Sequence, residues 1–198
     1  MIIHIVDDEE ALLDAMAFLL APLNQPIKTW QNSVDFIEQA DLHQFGVVLL
    51  DIRMSLLDGQ QVHQKLREAQ STLAVVIMTA HGDVPMAVRE LKNGAVDFLQ
   101  KPVGFEQLKQ VLIAVEKVSQ QAVKIREISQ NYAKLTEKER SLVPYIMQGY
   151  INKQIADKLA VSVRTVEVHR ASVMEKMQAE SLAGLVQKIS DLQKIEKI

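Results

Sequence analysis

Five short apolar runs, each followed by a stretch whose apolar residues recur at intervals of three and four, fill the first half of this chain of 198 residues. The runs are Ile2–Val6, Ile27–Trp30, Val47–Leu50, Ala74–Met78 and Val96–Leu99. Four of the periodic stretches carry Leu12, Leu13, Met16, Leu19 and Leu20, then Val62, Leu66 and Ala69, then Val88 and Leu91, and finally Leu108, Val111, Leu112 and Val115. That spacing lays an apolar stripe along one side of a helix. The runs Ile2–Val6, Val47–Leu50 and Ala74–Met78 are apolar on both faces, as strands are when helices cover both sides of their sheet. Alternating βα units of this kind close into a parallel, doubly wound α/β domain.

The chain has no cysteine, which excludes disulfides, zinc-thiolate sites, iron-sulfur clusters and thiol catalysis. No apolar run approaches the ~18 residues that read as a membrane span. The apolar start runs into Asp7-Asp8-Glu9-Glu10 without a basic leader, so a cytoplasmic protein with no membrane partner is expected. Residues 1–132 carry 11 Lys and Arg against 17 Asp and Glu, whereas residues 133–198 carry 11 against 8. An acidic body with a mildly basic tail is compatible with nucleic-acid binding by the tail.

From Leu108 the apolar positions Val111, Val115, Val118, Ala122 and Ile125 continue at alternating steps of four and three, close to a coiled-coil period. Such a stripe serves equally a helical linker that pairs with a second copy and an amphipathic helix packed back on its own domain. A second unit opens at Thr136, with Glu139 three residues on as in a capping box. Short helices are predicted over Glu137–Gln148, Asn152–Leu159, Val163–Met177 and Ser181–Leu192. Gly149 suits the end of the first and Ser162 the start of the third. Pro144 predicts a kink, because an interior proline removes a helix hydrogen bond and crowds the carbonyl four residues back.

Ligands of doubly wound sheets sit outside the carboxyl ends of the strands, and the polar residues fall there. Asp7 and Asp8 end the first run, Asp51 the third and Thr79 the fourth, and Lys101 follows the fifth. Singly, such an Asp also serves as a cap or turn former, Thr79 as a β-former and Lys101 as a solvated loop charge; their joint order points to a site. Three crowded carboxylates repel one another, and a hard cation with oxygen ligands such as Mg2+ relieves this. A lysine and a hydroxyl beside the ion suit a transferring phosphoryl group.

With Asp7-Asp8, Asp51, Thr79 and Lys101-Pro102 in place, residues 1–120 resemble a two-component receiver domain. The resemblance implies five parallel strands in the order 2-1-3-4-5 and a phosphoryl acceptor at Asp51. It implies Mg2+ held by Asp8, Asp51 and the main-chain oxygen of Arg53, with Asp7 acting through water. It further implies Lys101 paired with the phosphoryl group, Thr79 turning its hydroxyl to a phosphate oxygen, and Phe98 following Thr79 inward as the switch aromatic. One departure is visible: the receiver pattern usually carries proline after Met54, and this chain has Ser55, which is expected to loosen that loop.

The stretch Asn152 to Arg170, with Thr165-Val166-Glu167-Val168-His169 at its centre, resembles the helix-turn-helix of LuxR/FixJ-type (FixJ/NarL) regulators. A helical linker over residues 121–134 would then join the receiver to an all-α DNA-binding domain over 135–198. At 100° per residue Arg164, Glu167, Val168 and Ala171 share one face of the second helix and Val166, His169, Val173 and Met177 the opposite one, which assigns the first face to the major groove. Glu167, Val168 and Ala171 are expected to read bases, Lys153, Arg164 and Arg170 to hold phosphates, and Thr165 to complete the set. Dimer contacts are expected from Val88, Leu91 and Val96 of the receiver and, by the resemblance, from Leu182, Leu185 and Ile189 of the last helix, whose stripe would look the same if it only filled a core.

The expected function is thus a response regulator, phosphorylated on Asp51 by a sensor histidine kinase, forming a homodimer and binding double-stranded promoter DNA, with RNA polymerase as a further partner. It would not be an enzyme beyond slow loss of its own phosphoryl group. Two alternatives stand beside it. A magnesium-dependent phosphohydrolase would carry a second Asp two residues after Asp51, where Arg53 stands, and a phosphorylation-independent DNA-binding regulator would lack part of the acidic pocket, which is complete. Gly46–Asp51, His81–Val88 and Gly94–Val103 are similar to the FixJ branch, and within it most like regulators of tetrathionate respiration.

Overall fold

The computed structural model describes residues 1–80 and 84–196, so His81, Gly82 and Asp83 of the FixJ-like passage lie outside the described residues. The chain separates into two compact units, Met1–Val123 and Lys124–Ile198. The first follows the expected alternation: β1 (Ile2–Val6), α1 (Glu10–Leu20), β2 (Ile27–Trp30), α2 (Ser33–Gln39), β3 (Gly46–Asp51), α3 (Gly59–Glu68), β4 (Ala74–Thr79), α4 (Val84–Lys92), β5 (Asp97–Gln100) and the start of α5 (Phe105–Ala133). The strands pair in parallel in the order β2-β1-β3-β4-β5. Every residue of β3 and β4 is buried, which is why both read as unbroken apolar runs. One face of the sheet packs Ile3, Ile5, Leu49 and Val76 against Leu13, Met16, Leu108 and Val115. The other packs Val48, Leu50 and Ile77 against Phe36, Val62 and Leu66.

His4 and Ser119 are among the polar side chains buried in this unit. His4 is fully buried in β1, where its Nδ1 accepts from Trp30 Nε1 at 2.9 Å. Burial, with Lys28 nearby, lowers its pKa to about 4 and keeps the ring neutral. The hydroxyl of Ser119 accepts from Gly46 N–H at 3.0 Å and donates to the Thr72 carbonyl at 2.9 Å, tying α5 to the starts of β3 and β4.

The second unit contains the end of α5, then α6 (Glu137–Met147), α7 (Asn152–Leu159), α8 (Val163–Lys176) and α9 (Leu182–Glu196). The stretch predicted as a helical linker is helical, as the end of α5. From Lys124 the stretch belongs to this unit, with Ile128 buried in its core and Ile125 and Tyr132 packed against it. The stripe along α5 is therefore largely used within the chain: Val111 and Val115 are buried in the first unit, while Val118 is 44% exposed. Helix α6 runs through Pro144 without a break. Ser162 caps α8 by accepting from Thr165 N–H at 3.0 Å, and Ala160, in the left-handed region at φ 54°, makes the turn between α7 and α8.

The capping box at Thr136 reaches further than its spacing announces. Glu139 accepts from Thr136 N–H at 2.7 Å, from Ser172 Oγ at 2.6 Å and from Lys176 Nζ at 2.7 Å, so one buried carboxylate joins the start of α6 to α8. Lys176 and Ser172 lower its pKa to about 2. A carboxyl whose folded pKa lies below its ordinary value of 4.5 stabilises above that value and loses the contribution as pH falls toward the folded pKa. Glu139→Gln keeps the box, since glutamine serves at that position, and removes the charge. In urea melts the variant should be less stable by roughly 2 kcal/mol at pH 7, and the difference should close between pH 5 and pH 2. A difference that stays constant across that window would contradict the pairing.

Candidate functional site

Because all five strands run the same way, β1, β3, β4 and β5 deliver their ends to one edge of the sheet. Asp7 follows β1, Asp51 closes β3, Thr79 closes β4 and Lys101 follows β5. The main chain carries two of them beyond the strands: Asp7 N–H donates to Trp30 O at 3.1 Å and Lys101 N–H to Thr79 O at 2.8 Å. The Lys101–Pro102 peptide bond is cis. Gly59 lets α3 begin hard against the end of β3, since a Cβ there would strike the Asp51 carbonyl and stand 2.9 Å from Ile52 Cα.

Lys101 Nζ bridges two buried carboxylates, 2.7 Å from Asp7 Oδ2 and 2.6 Å from Asp51 Oδ1. Burial works against the charged ammonium, but the Asp51 and Asp7 carboxylates outweigh it and hold the lysine above its ordinary range. Burial pushes the Asp51 carboxyl upward, against the pull of Lys101. The other Asp51 oxygen accepts from Arg53 N–H at 2.8 Å, and Asp7 Oδ1 accepts from Glu9 N–H at 3.0 Å. Asp8 is half-buried. The serine expected to loosen the following loop instead ties it: Ser55 N–H donates to Asp8 Oδ2 at 2.9 Å. Leu57 N–H adds a bond to Ser33 Oγ at 3.1 Å.

Three carboxylates with one lysine leave the edge net negative, and the donor set suits a hard cation. Magnesium commonly takes one or two carboxylates and completes its shell with water and other oxygens. The described residues contain no cluster of three or more His, Asp or Glu side chains poised around one ion, and a site made of two carboxylates, a main-chain oxygen and water needs none. Thr79 is buried, and its hydroxyl donates to the Ala80 carbonyl at 3.1 Å rather than to Asp51 or Lys101. Phe98 is half-buried against the core that holds Leu50, Ile77 and Ala87.

In the second unit Arg164, Glu167, Val168 and Ala171 are all exposed and Val166, Val173 and Met177 are buried, so α8 has the rotation its sequence predicts. Lys153 is exposed, while Thr165, His169 and Arg170 are half-buried. Arg170 is oriented by Asn152, whose Oδ1 accepts from its guanidinium at 2.8 Å. No spacing in the sequence announces this bond between the two helices.

The expected dimer contacts divide. Val88 is 41% exposed on α4, with Leu91 and Val96 half-buried beside it. Of the expected α9 residues Leu182 is exposed; Leu185 and Ile189, together with Leu192, lie in the core of their own unit. Their stripe is spent on intramolecular packing and is withdrawn from the dimer surface. The sequence also gave no sign of a buried pair between α3 and α4, where His63 Nδ1 lies 2.6 Å from Glu90 Oε2.

Residues 3–113 match the response regulator receiver domain family, and residues 133–189 match the bacterial regulatory proteins of the luxR family. The chain is 53% identical over 190 residues to the tetrathionate response regulatory protein TtrR of Salmonella typhimurium, covering 96% of this chain and 92% of that protein. It is 38% identical to the transcriptional regulatory protein FixJ of Rhizobium meliloti, covering 93% and 92%. Among solved structures, full-length FixJ from B. japonicum shares 35% identity with a TM-score of 0.56 over 98% of this chain and 97% of its own. The response regulator StyR shares 31% with a TM-score of 0.65 over 96% and 98%. With its acidic sheet edge in the first unit and its exposed α8 face in the second, the chain belongs to the two-component response regulators that join a receiver domain to a LuxR-type DNA-binding domain.

Proposed function

We propose that Asp51 accepts a phosphoryl group from a sensor histidine kinase and that the phosphorylated chain dimerises on promoter DNA to regulate genes of tetrathionate respiration. The observation that carries this reading is the Lys101 ammonium set between Asp7 and Asp51 at the strand ends. In the transfer the nitrogen–phosphorus bond of the kinase phosphohistidine breaks as a bond from an Asp51 carboxylate oxygen to phosphorus forms. Asp8, Asp51 and the Arg53 main-chain oxygen would hold Mg2+, with Asp7 acting through water, and the ion supplies charge neutralisation for the phosphoryl oxygens. Lys101 pairs with the bound group. Thr79 exchanges its bond to Ala80 for a phosphate oxygen, and Phe98 moves inward behind it. This shifts the face formed by Val88, Leu91 and Val96, where a second copy docks. Release of the phosphoryl group to water is slow, so the chain acts as a switch rather than an enzyme. The pathway rests on the 53% identity to TtrR, and contact with RNA polymerase would follow at the promoter.

On DNA, α8 enters the major groove. Glu167, Val168 and Ala171 meet base edges; Lys153, Arg164 and Arg170 hold phosphates, with Thr165 beside them. The two groups fail differently. Loss of a phosphate contact weakens binding to all sequences and lowers the salt slope by about one, whereas loss of a base reader changes discrimination by roughly 1–3 kcal/mol at one position. Arg170→Ala and Glu167→Gln, titrated against a selected site and scrambled DNA over a salt series, should separate in this way. If Arg170→Ala changed base preference without weakening scrambled-DNA binding, and Glu167→Gln left preference untouched, α8 would dock in another rotation.

A further inference from the structure

The receiver pattern usually carries proline where this chain has Ser55, and the two residues differ at the main chain: proline has no N–H to give. Here that N–H donates to Asp8 Oδ2 at 2.9 Å. Asp8 is the least buried carboxylate of the acidic edge. Asp7 is fixed by Glu9 N–H and Lys101, and Asp51 by Arg53 N–H and Lys101, whereas the bond that reaches Asp8 from across the site comes from the loop after β3. A carboxylate that gives one oxygen to a neutral N–H keeps its charge and its second oxygen, and magnesium needs one oxygen from each such ligand. Hydrogen bonds of this kind orient metal ligands, and losing one typically costs 10–100-fold in metal affinity.

We infer that Ser55 is a positioning residue for the divalent cation, acting through its main-chain N–H to hold Asp8 in its ligating orientation. The inference rests on the reading of Asp8 as a metal ligand. Its signature is unusual, because the side chain does not matter and the main-chain hydrogen does. Ser55→Ala keeps the donor; Ser55→Pro removes it.

The test is a Mn2+ titration of the full-length protein followed by electron paramagnetic resonance of the free ion, with Mn2+ standing in for Mg2+ and no phosphoryl donor present. Wild type and Ser55→Ala should bind alike, and Ser55→Pro about tenfold more weakly. Equal or tighter binding by Ser55→Pro overturns the inference while leaving the metal site intact. If wild type binds no ion, or Asp8→Ala binds as wild type does, the metal reading itself fails and takes the inference with it. Should Ser55→Pro lose its fold by circular dichroism, amide hydrogen exchange decides: the Ser55 N–H should exchange several-fold faster in Asp8→Ala than in wild type, and equal rates overturn the inference.

Discussion

Acetyl phosphate with Mg2+ should add one phosphoryl group to the wild-type chain and none to Asp51→Asn, read by intact mass. The effect is all-or-none because an amide in place of the carboxylate has no anionic oxygen to form the acyl phosphate. Neither neighbouring carboxylate can take over. Asp7 is fully buried and offers no open side to an in-line donor, whereas Asp51 retains some exposure. Asp8 is turned toward Ser55. Asp51 ends the central strand with its carboxylate anchored by Arg53 N–H and facing the lysine, so an incoming phosphoryl group meets a fixed nucleophile beside a fixed cation. Labelling of Asp51→Asn at the wild-type level would place the acceptor elsewhere.

Most of this site is legible in the sequence because a parallel sheet turns chain order into geometry. A carboxylate after an apolar run, a threonine after the next and a lysine after the last must converge once the strands align. The rotation of α8 was equally readable, since Val166, Val173 and Met177 leave only one phase in which the helix can bury an apolar side. Bonds between segments distant in sequence were not readable. Ser55 to Asp8, Arg170 to Asn152, and Glu139 to Lys176 and Ser172 depend on how separate elements come together, and no local spacing encodes them. The stripe on α9 marks the opposite limit. Leu185 and Ile189 satisfy a dimer surface and a private core equally well on a helical wheel, and the three-dimensional packing decides for the core. Along α5 one helix spends successive parts of its stripe in two different units, a division that a helical wheel does not reveal.

The second large effect is the coupling of the two sites. A phosphoryl group at Asp51 can change DNA affinity only through a difference between the two states of the receiver, and the difference proposed is how readily they dimerise. Val88, with Leu91 and Val96 beside it, is the surface through which that difference would act. Coupling free energies of this kind typically reach 1–3 kcal/mol, or about 5–150-fold. A target with two half-sites engages two α8 helices and should register the full gain. A single half-site engages one and should register little. The measurement that bears most directly on the account is therefore the affinity of the full-length chain for two-half-site promoter DNA at fixed salt, with and without acetyl phosphate and Mg2+. The expected result is binding at least tenfold tighter for phosphorylated wild type and unchanged for Asp51→Asn; equal affinity of the phosphorylated and unphosphorylated wild-type chain would contradict it.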